Sequence, residues 1–156
     1  MADRMHLMIR VLRQREADAR QALARLAREV ASKQATLSFA DRSIATLDQN
    51  LRDALGARHE NGRSRTVAEL LESESQVRNL SAALAKLRHL RIEAQRELDE
   101  ATARQQLAAR QWKRDEARLR HIEFLERRER IARAVRMSEA EDESHVERLA
   151  AIGMAS

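Results

Sequence analysis

Residues 9–54, IRVLRQREADARQALARLAREVASKQATLSFADRSIATLDQNLRDA, decide the fold. Counted in sevens from Ile9, the a positions read Ile9, Glu16, Leu23, Val30, Leu37, Ile44 and Leu51. The d positions read Leu12, Ala19, Leu26, Lys33, Ala40, Leu47 and Ala54. Apolar residues repeating every 3.5 residues draw one seam along a helix, the pattern of a coiled coil rather than the alternation of a strand. A second series of similar length has a at Leu70, Val77, Leu84, Arg91, Leu98, Gln105, Trp112 and Leu119. Its d positions are Ser73, Leu80, Leu87, Ala94, Ala101, Ala108, Asp115 and Ile122.

Between the two series lies Gly56-Ala-Arg-His-Glu-Asn-Gly-Arg-Ser-Arg65, the one stretch holding two glycines. Gly56 is a suitable stop for a helix, and Thr66 with Glu69 forms a T-x-x-E capping box that starts the next. The expectation is an all-α chain of two long helices in an antiparallel coiled-coil hairpin with a longer C-terminal helix. As a single elongated domain over 1–156 it has helix 1 at about 3–56, a loop at 57–65 and helix 2 at about 66–152.

Composition agrees. Of 156 residues, 94 are Ala, Glu, Lys, Leu or Arg, there is no proline, and the three glycines are at 56, 62 and 153. So little turn punctuation excludes a multi-strand sheet or barrel. The absence of cysteine excludes a disulfide framework and thiolate chemistry. The N-terminal MADRMHLMIR has charges inside its apolar stretch, and no run of about 18 apolar residues occurs, so neither a cleaved signal nor a membrane span is expected. A cytoplasmic protein is the resulting reading. The net charge of +5 is modest for a chain with 35% charged residues and suits solvated helix faces.

An antiparallel pair sets a against d of its partner, and pairs whose residue numbers add to 124 do so throughout. Leu26 then meets Leu98, Ala40 meets Leu84, Leu47 meets Val77, Leu12 meets Trp112, and Lys33 faces Arg91 as a like-charged layer whose side chains must turn outwards to Glu29 or Glu93. In this register the segment from about Ile122 to Ile152 has no partner within the hairpin. Phe124, Ile131, Val135, Val146 and Leu149 share a face nearly opposite the Leu119 and Ile122 stripe, so that segment presents a second apolar seam. Leu7, Met8, Ile9, Val11 and Leu12 cover more of helix 1 than a two-helix seam buries.

Chemistry is sparse. No two of His6, His59, His89, His121 and His145 stand at i, i+3 or i, i+4, and no H-E-x-x-H, G-x-x-x-x-G-K-[ST] or G-x-G-x-x-G occurs. No catalytic, cofactor or metal residue is assigned, and the chain is read as not an enzyme. Residues 118–136 carry seven arginines against three glutamates, yet they follow the coiled coil instead of preceding it as a bZIP basic region does. With one Trp, two Phe and no Tyr, stacking platforms are also few. Neither nucleic-acid binding nor direct membrane insertion is therefore expected. What remains is recognition by shape, as a structural part, a generic coiled-coil scaffold or a holdase chaperone.

The opening LMIRVLRQREADARQALARL and the later RQWKRDEARLRHIEFLERRERIARAVRMSEAEDESHVERLA resemble the stalk proteins of bacterial type III secretion, the YscO/FliJ family. The resemblance spans the whole chain and lies in an apolar start passing into an Arg-rich heptad helix, then a Trp followed by an Arg/Glu helix and an acidic end. The Arg-rich, tyrosine-free composition is closer to the injectisome branch than to the flagellar one. The resemblance implies a central shaft whose open end enters the hexameric export ATPase and whose loop side faces the export gate protein, at the cytoplasmic side of the inner-membrane export apparatus, with a part in recycling escort chaperones. Carried onto this chain, the ATPase-binding set is Leu7, Met8, Val11, Trp112, Arg127, Arg128, Arg130 and Arg133. The gate- and chaperone-binding set is Phe39, Arg58, Arg63 and Arg65.

Overall fold

A computed structural model describes residues 2–60 and 65–154. They form two helices, α1 (Ala2–Glu60) and α2 (Val67–Met154), and the described residues include no strand. The start of α2 follows the expected chemistry. The Thr66 amide donates to Glu69 Oε2 at 3.0 Å, the Glu69 amide donates to Thr66 Oγ1 at 3.3 Å, and the Leu70 amide closes the first turn on the Thr66 carbonyl at 3.1 Å. Two N–H groups left without partners at a helix start are thereby satisfied reciprocally.

The end of α1 departs from expectation. Gly56 does not stop the helix, which continues to Glu60, and no described glycine has positive φ. Arg58 Nε donates to Ser73 Oγ at 3.3 Å, so cross-helix contact persists beyond Gly56 and outweighs its poor helix propensity. Of the expected loop 57–65, residues 57–60 are therefore helical, and residues 61–64, Arg63 among them, lie outside the described residues.

The chain divides into two compact units, residues Ala22–Ala108 and residues Met1–Gln21 with Ala109–Ser156. In Ala22–Ala108 the two helices run antiparallel, as the contacts Glu29–Arg104, Lys33–Glu97, Asp41–Arg91, Asp48–Arg88 and Arg58–Ser73 require. Every a and d position except Leu70 is buried or half-buried, with Leu37, Ala40, Leu84, Leu98 and Ala101 the most enclosed. A two-helix seam has solvent on both flanks, and among the described residues no large side chain is fully buried.

The contacts correct the register by one heptad. With numbers adding to 124, Asp48 and Arg88 would lie twelve residues apart along the axis, about 18 Å, whereas their charged groups meet at 3.6 Å. Facing pairs instead add to about 131, which still sets a against d. Leu47 meets Leu84, Ile44 meets Leu87, Leu37 meets Ala94 and Val30 meets Ala101. The expected Lys33–Arg91 layer disappears. Lys33 stands beside Leu98 and bonds Glu97, while Arg91 stands beside Ala40 and bonds Asp41 Oδ1 at 2.6 Å. Sliding by seven residues thus replaces two facing cations by two charge-assisted hydrogen bonds and leaves the apolar layers equally well matched.

The second unit follows the same offset. Trp112 Nε1 donates to Glu16 Oε1 at 2.9 Å, Arg13 Nη2 donates to Glu123 Oε1 at 2.8 Å, and His6 Nδ1 lies 3.3 Å from Glu126 Oε1. Ile9 and Leu119 are buried. Pairing therefore reaches Glu126 and does not end near Ile122, so the unpaired part of α2 is shorter than the sequence register implies. From Arg130 to Met154 every side chain except the half-buried Ser144 is exposed.

Candidate interaction surfaces

Within the unit that holds both chain termini, residues 5–12 wind around α1 and divide by face. Ile9, 3% exposed, and the half-buried Leu12 enter the seam, whereas Leu7 at 60%, Met8 at 47% and Val11 at 45% face outwards. A surface of three large apolar side chains within five residues has no partner in this unit, as the angular pattern predicts.

Trp112 differs from the outward residues. It is half-buried at a seam position, and its indole N–H is held by Glu16. That hydrogen bond, followed by contact with Arg20, holds the Glu16 carboxyl below the usual glutamate range against a smaller opposing effect of burial. Trp112 therefore works inside the seam as an anchor of α1 on α2. Glu16 was not singled out from sequence, because its partner lies off the 124 register. Glu123 and Glu126 were missed for the same reason, although the occurrence of Glu16 and Glu126 on the heptad seam is a signal available in the sequence. Arg130 Nη2, first, and His6, less strongly, hold the Glu126 carboxyl low. Met5, His6, Glu126, Arg130 and Arg133 line a shallow pocket of about 170 Å³.

The arginines following Glu126 are not equivalent. Arg130 and Arg133 bond Glu126 and Glu129 one turn earlier. Arg127 Nε donates only to its own helix, at the Glu123 carbonyl, and Arg128 makes no ion pair among the described residues. Half of the expected basic set is thus committed to i, i+4 pairs of small net worth, and half is open to an outside partner.

In Ala22–Ala108, Phe39 is 65% exposed and lines an open groove of about 520 Å³ with Arg42, Ser43, Thr46, Leu47 and Leu87. Arg58 and Arg65 are near the turn but already engaged, Arg58 with Ser73 and Arg65 with the Ala57 carbonyl at 2.8 Å. The structure brings Arg58 and Arg65 together and places Phe39 well down α1, so these residues do not make one surface. Val67, Leu70 and Leu71, exposed at the start of α2, were not singled out from sequence. In the 131 register no described residue of α1 falls opposite the a position Leu70.

Among the described residues no group of three His, Asp or Glu side chains is arranged to hold a metal ion, and no helix is long and apolar enough to cross a membrane. No protein-family model matches the chain, and no curated protein and no solved structure is similar to it at a significant level.

Proposed function

We propose that this chain is a non-enzymatic central stalk of an injectisome-like type III export apparatus, held peripherally on the cytoplasmic side of the inner membrane. In this reading Leu7, Met8 and Val11, with Arg127 and Arg128, enter the hexameric export ATPase, and Arg130 and Arg133 join them by exchanging their intrahelical carboxylates for those of the ring. Trp112 supports that surface from within by fixing α1 against α2. Phe39 and its groove serve the export gate protein or an escort chaperone. The observation that carries the reading is the outward Leu7, Met8 and Val11 set, in the same unit as arginines that lack carboxylate partners. A stalk in a sixfold ring can bias nucleotide states only by contacting non-equivalent subunits differently, and a few apolar side chains among radially spread arginines provide such contacts. The binding is expected to be weak and salt-sensitive.

Co-purification with a hexameric export ATPase at low salt and an ATPase assay test it. Stimulation of turnover that is lost in Leu7→Ser/Val11→Ser and in Arg127→Glu/Arg128→Glu chains of unchanged helicity is the expected result. Absence of both complex and stimulation would leave the generic scaffold or holdase reading in its place.

A further inference from the structure

Residues 127–136 carry five arginines against one glutamate, and residues 139–147 carry five carboxylates, Glu139, Glu141, Asp142, Glu143 and Glu147, with no Lys or Arg between them. The two blocks adjoin on one exposed helix yet do not neutralise one another. Arg127 and Arg136 donate to carbonyls of their own helix, and none of the five carboxylates has an ion pair among the described residues. Glu139, Glu143 and Glu147 repeat at i, i+4, a like-charge spacing that destabilises an isolated helix. The same stretch exposes Phe124, Ile131, Val135, Val146 and Leu149 on one face. Packing of an amphipathic face supplies most of a helix's stability in a protein, and from Arg130 onwards this one is exposed at every described residue but Ser144.

We propose that residues 124–149 of α2 form a self-association site whose occupant is the same segment of a second copy, laid antiparallel. An acidic partner would satisfy only the arginines and a basic partner only the carboxylates, whereas an antiparallel copy satisfies both. A parallel copy sets like charges together. The two-fold axis falls near residue 137, where the sign changes, and the contact is closed and isologous. With a set against d, Phe124 meets Leu149 of the second copy, and the arginine block 127–136 lies along residues 137–146 of the second copy, which carry four of the five carboxylates. Self-association covers the arginines assigned above to the ATPase, so the two bindings compete, but it stands on the charge pattern whether or not that assignment holds.

Sedimentation velocity of the full chain at low salt, over rising concentration, tests the site. The wild-type chain is expected to pass from monomer to dimer. R127E/R128E/R136E and E139R/E141R/E143R chains, each of normal helicity, are expected to stay monomeric alone and to form a one-to-one dimer when mixed. A spin label at Ala140 is expected within about 15 Å of its twin, and one at Ala150 about 40 Å from its twin, from 1.5 Å of rise per residue about the two-fold. A monomeric wild-type chain, dimers of the charge-reversed chains as strong as the wild type, a mixture that stays monomeric, or Ala150 labels as close as the Ala140 pair would each overturn the proposal.

Discussion

Replacing Lys33 and Arg91 by leucine, singly and together, measures the heptad register. If the two cations faced each other about 6 Å apart, their repulsion would be about 0.7 kcal/mol at a dielectric of 80 and about 2.8 kcal/mol at 20. Either single replacement would remove all of it, so the double variant would fall short of the summed single effects by that amount. In the structure the two residues stand a heptad apart, about 10 Å along the axis, and each has its own carboxylate, Glu97 or Asp41. Side chains that far apart, with no shared partner, combine additively within about 0.5 kcal/mol. Each leucine exchanges a partly exposed ion pair, worth roughly 0.2–1 kcal/mol, for apolar contact in the seam worth roughly 1–2 kcal/mol. Both single variants should therefore be more stable than the wild type. Urea unfolding followed by circular dichroism, extrapolated linearly at low salt, supplies the four free energies. A shortfall of 1 kcal/mol or more in the double variant would refute the register described here and restore the facing cations.

Gly56 sits inside α1 with nothing within 4 Å of where a Cβ would stand, so Gly56→Ala should raise stability by roughly 0.5–1 kcal/mol, read as a higher urea midpoint with an unchanged slope. Thr66→Ala removes the side-chain half of the capping box and should lower stability by about 1 kcal/mol in the same assay, whereas Thr66→Ser should be nearly neutral. Glu16, Glu97 and Glu126 have lowered folded-state values, Glu16 through Trp112, Glu97 through Lys33 and Glu126 through Arg130. Their contribution is present above the ordinary glutamate value and is lost as pH falls below it, because the unfolded chain takes up protons first. The melting temperature should therefore decline from about pH 5 downwards, and less steeply in Glu97→Gln.

The helices, their seam positions and the T-x-x-E start were legible because each is written in local spacing. Register was not, since a slide of seven residues keeps every a against a d and exchanges one acceptable set of Leu–Ala layers for another. The discriminating signal was the setting of Lys33 and Arg91. Size complementarity, with Ala40 against Leu84, favoured the wrong slide, while Glu97 and Asp41 lay one residue off the seam and carried the decision. The end of the paired region moved with that slide. Gly56 misled for a related reason, because a propensity of about 1 kcal/mol yields to cross-helix pairing that continues past it. Of the candidate surfaces, the outward Leu7, Met8 and Val11 followed from angle alone. The inward hydrogen bond of Trp112 required the register, and so it was invisible until Glu16 could be placed beside it.

The cross-helix contacts widen steadily in sequence separation, from 15 residues for Arg58–Ser73 through 50 for Asp41–Arg91 and 75 for Glu29–Arg104 to 120 for His6–Glu126. Closing the widest of these in one step carries the loop entropy of nearly the whole chain, but closing it after its neighbours adds only the few residues between successive contacts. Folding is therefore ordered in time from the Thr66 turn outwards, like a zip with a single slider. The His6–Glu126 contact is then the last to close and the first to reopen, so the end of the seam beside it, where Ile9 is buried, is expected to be the part most often uncovered.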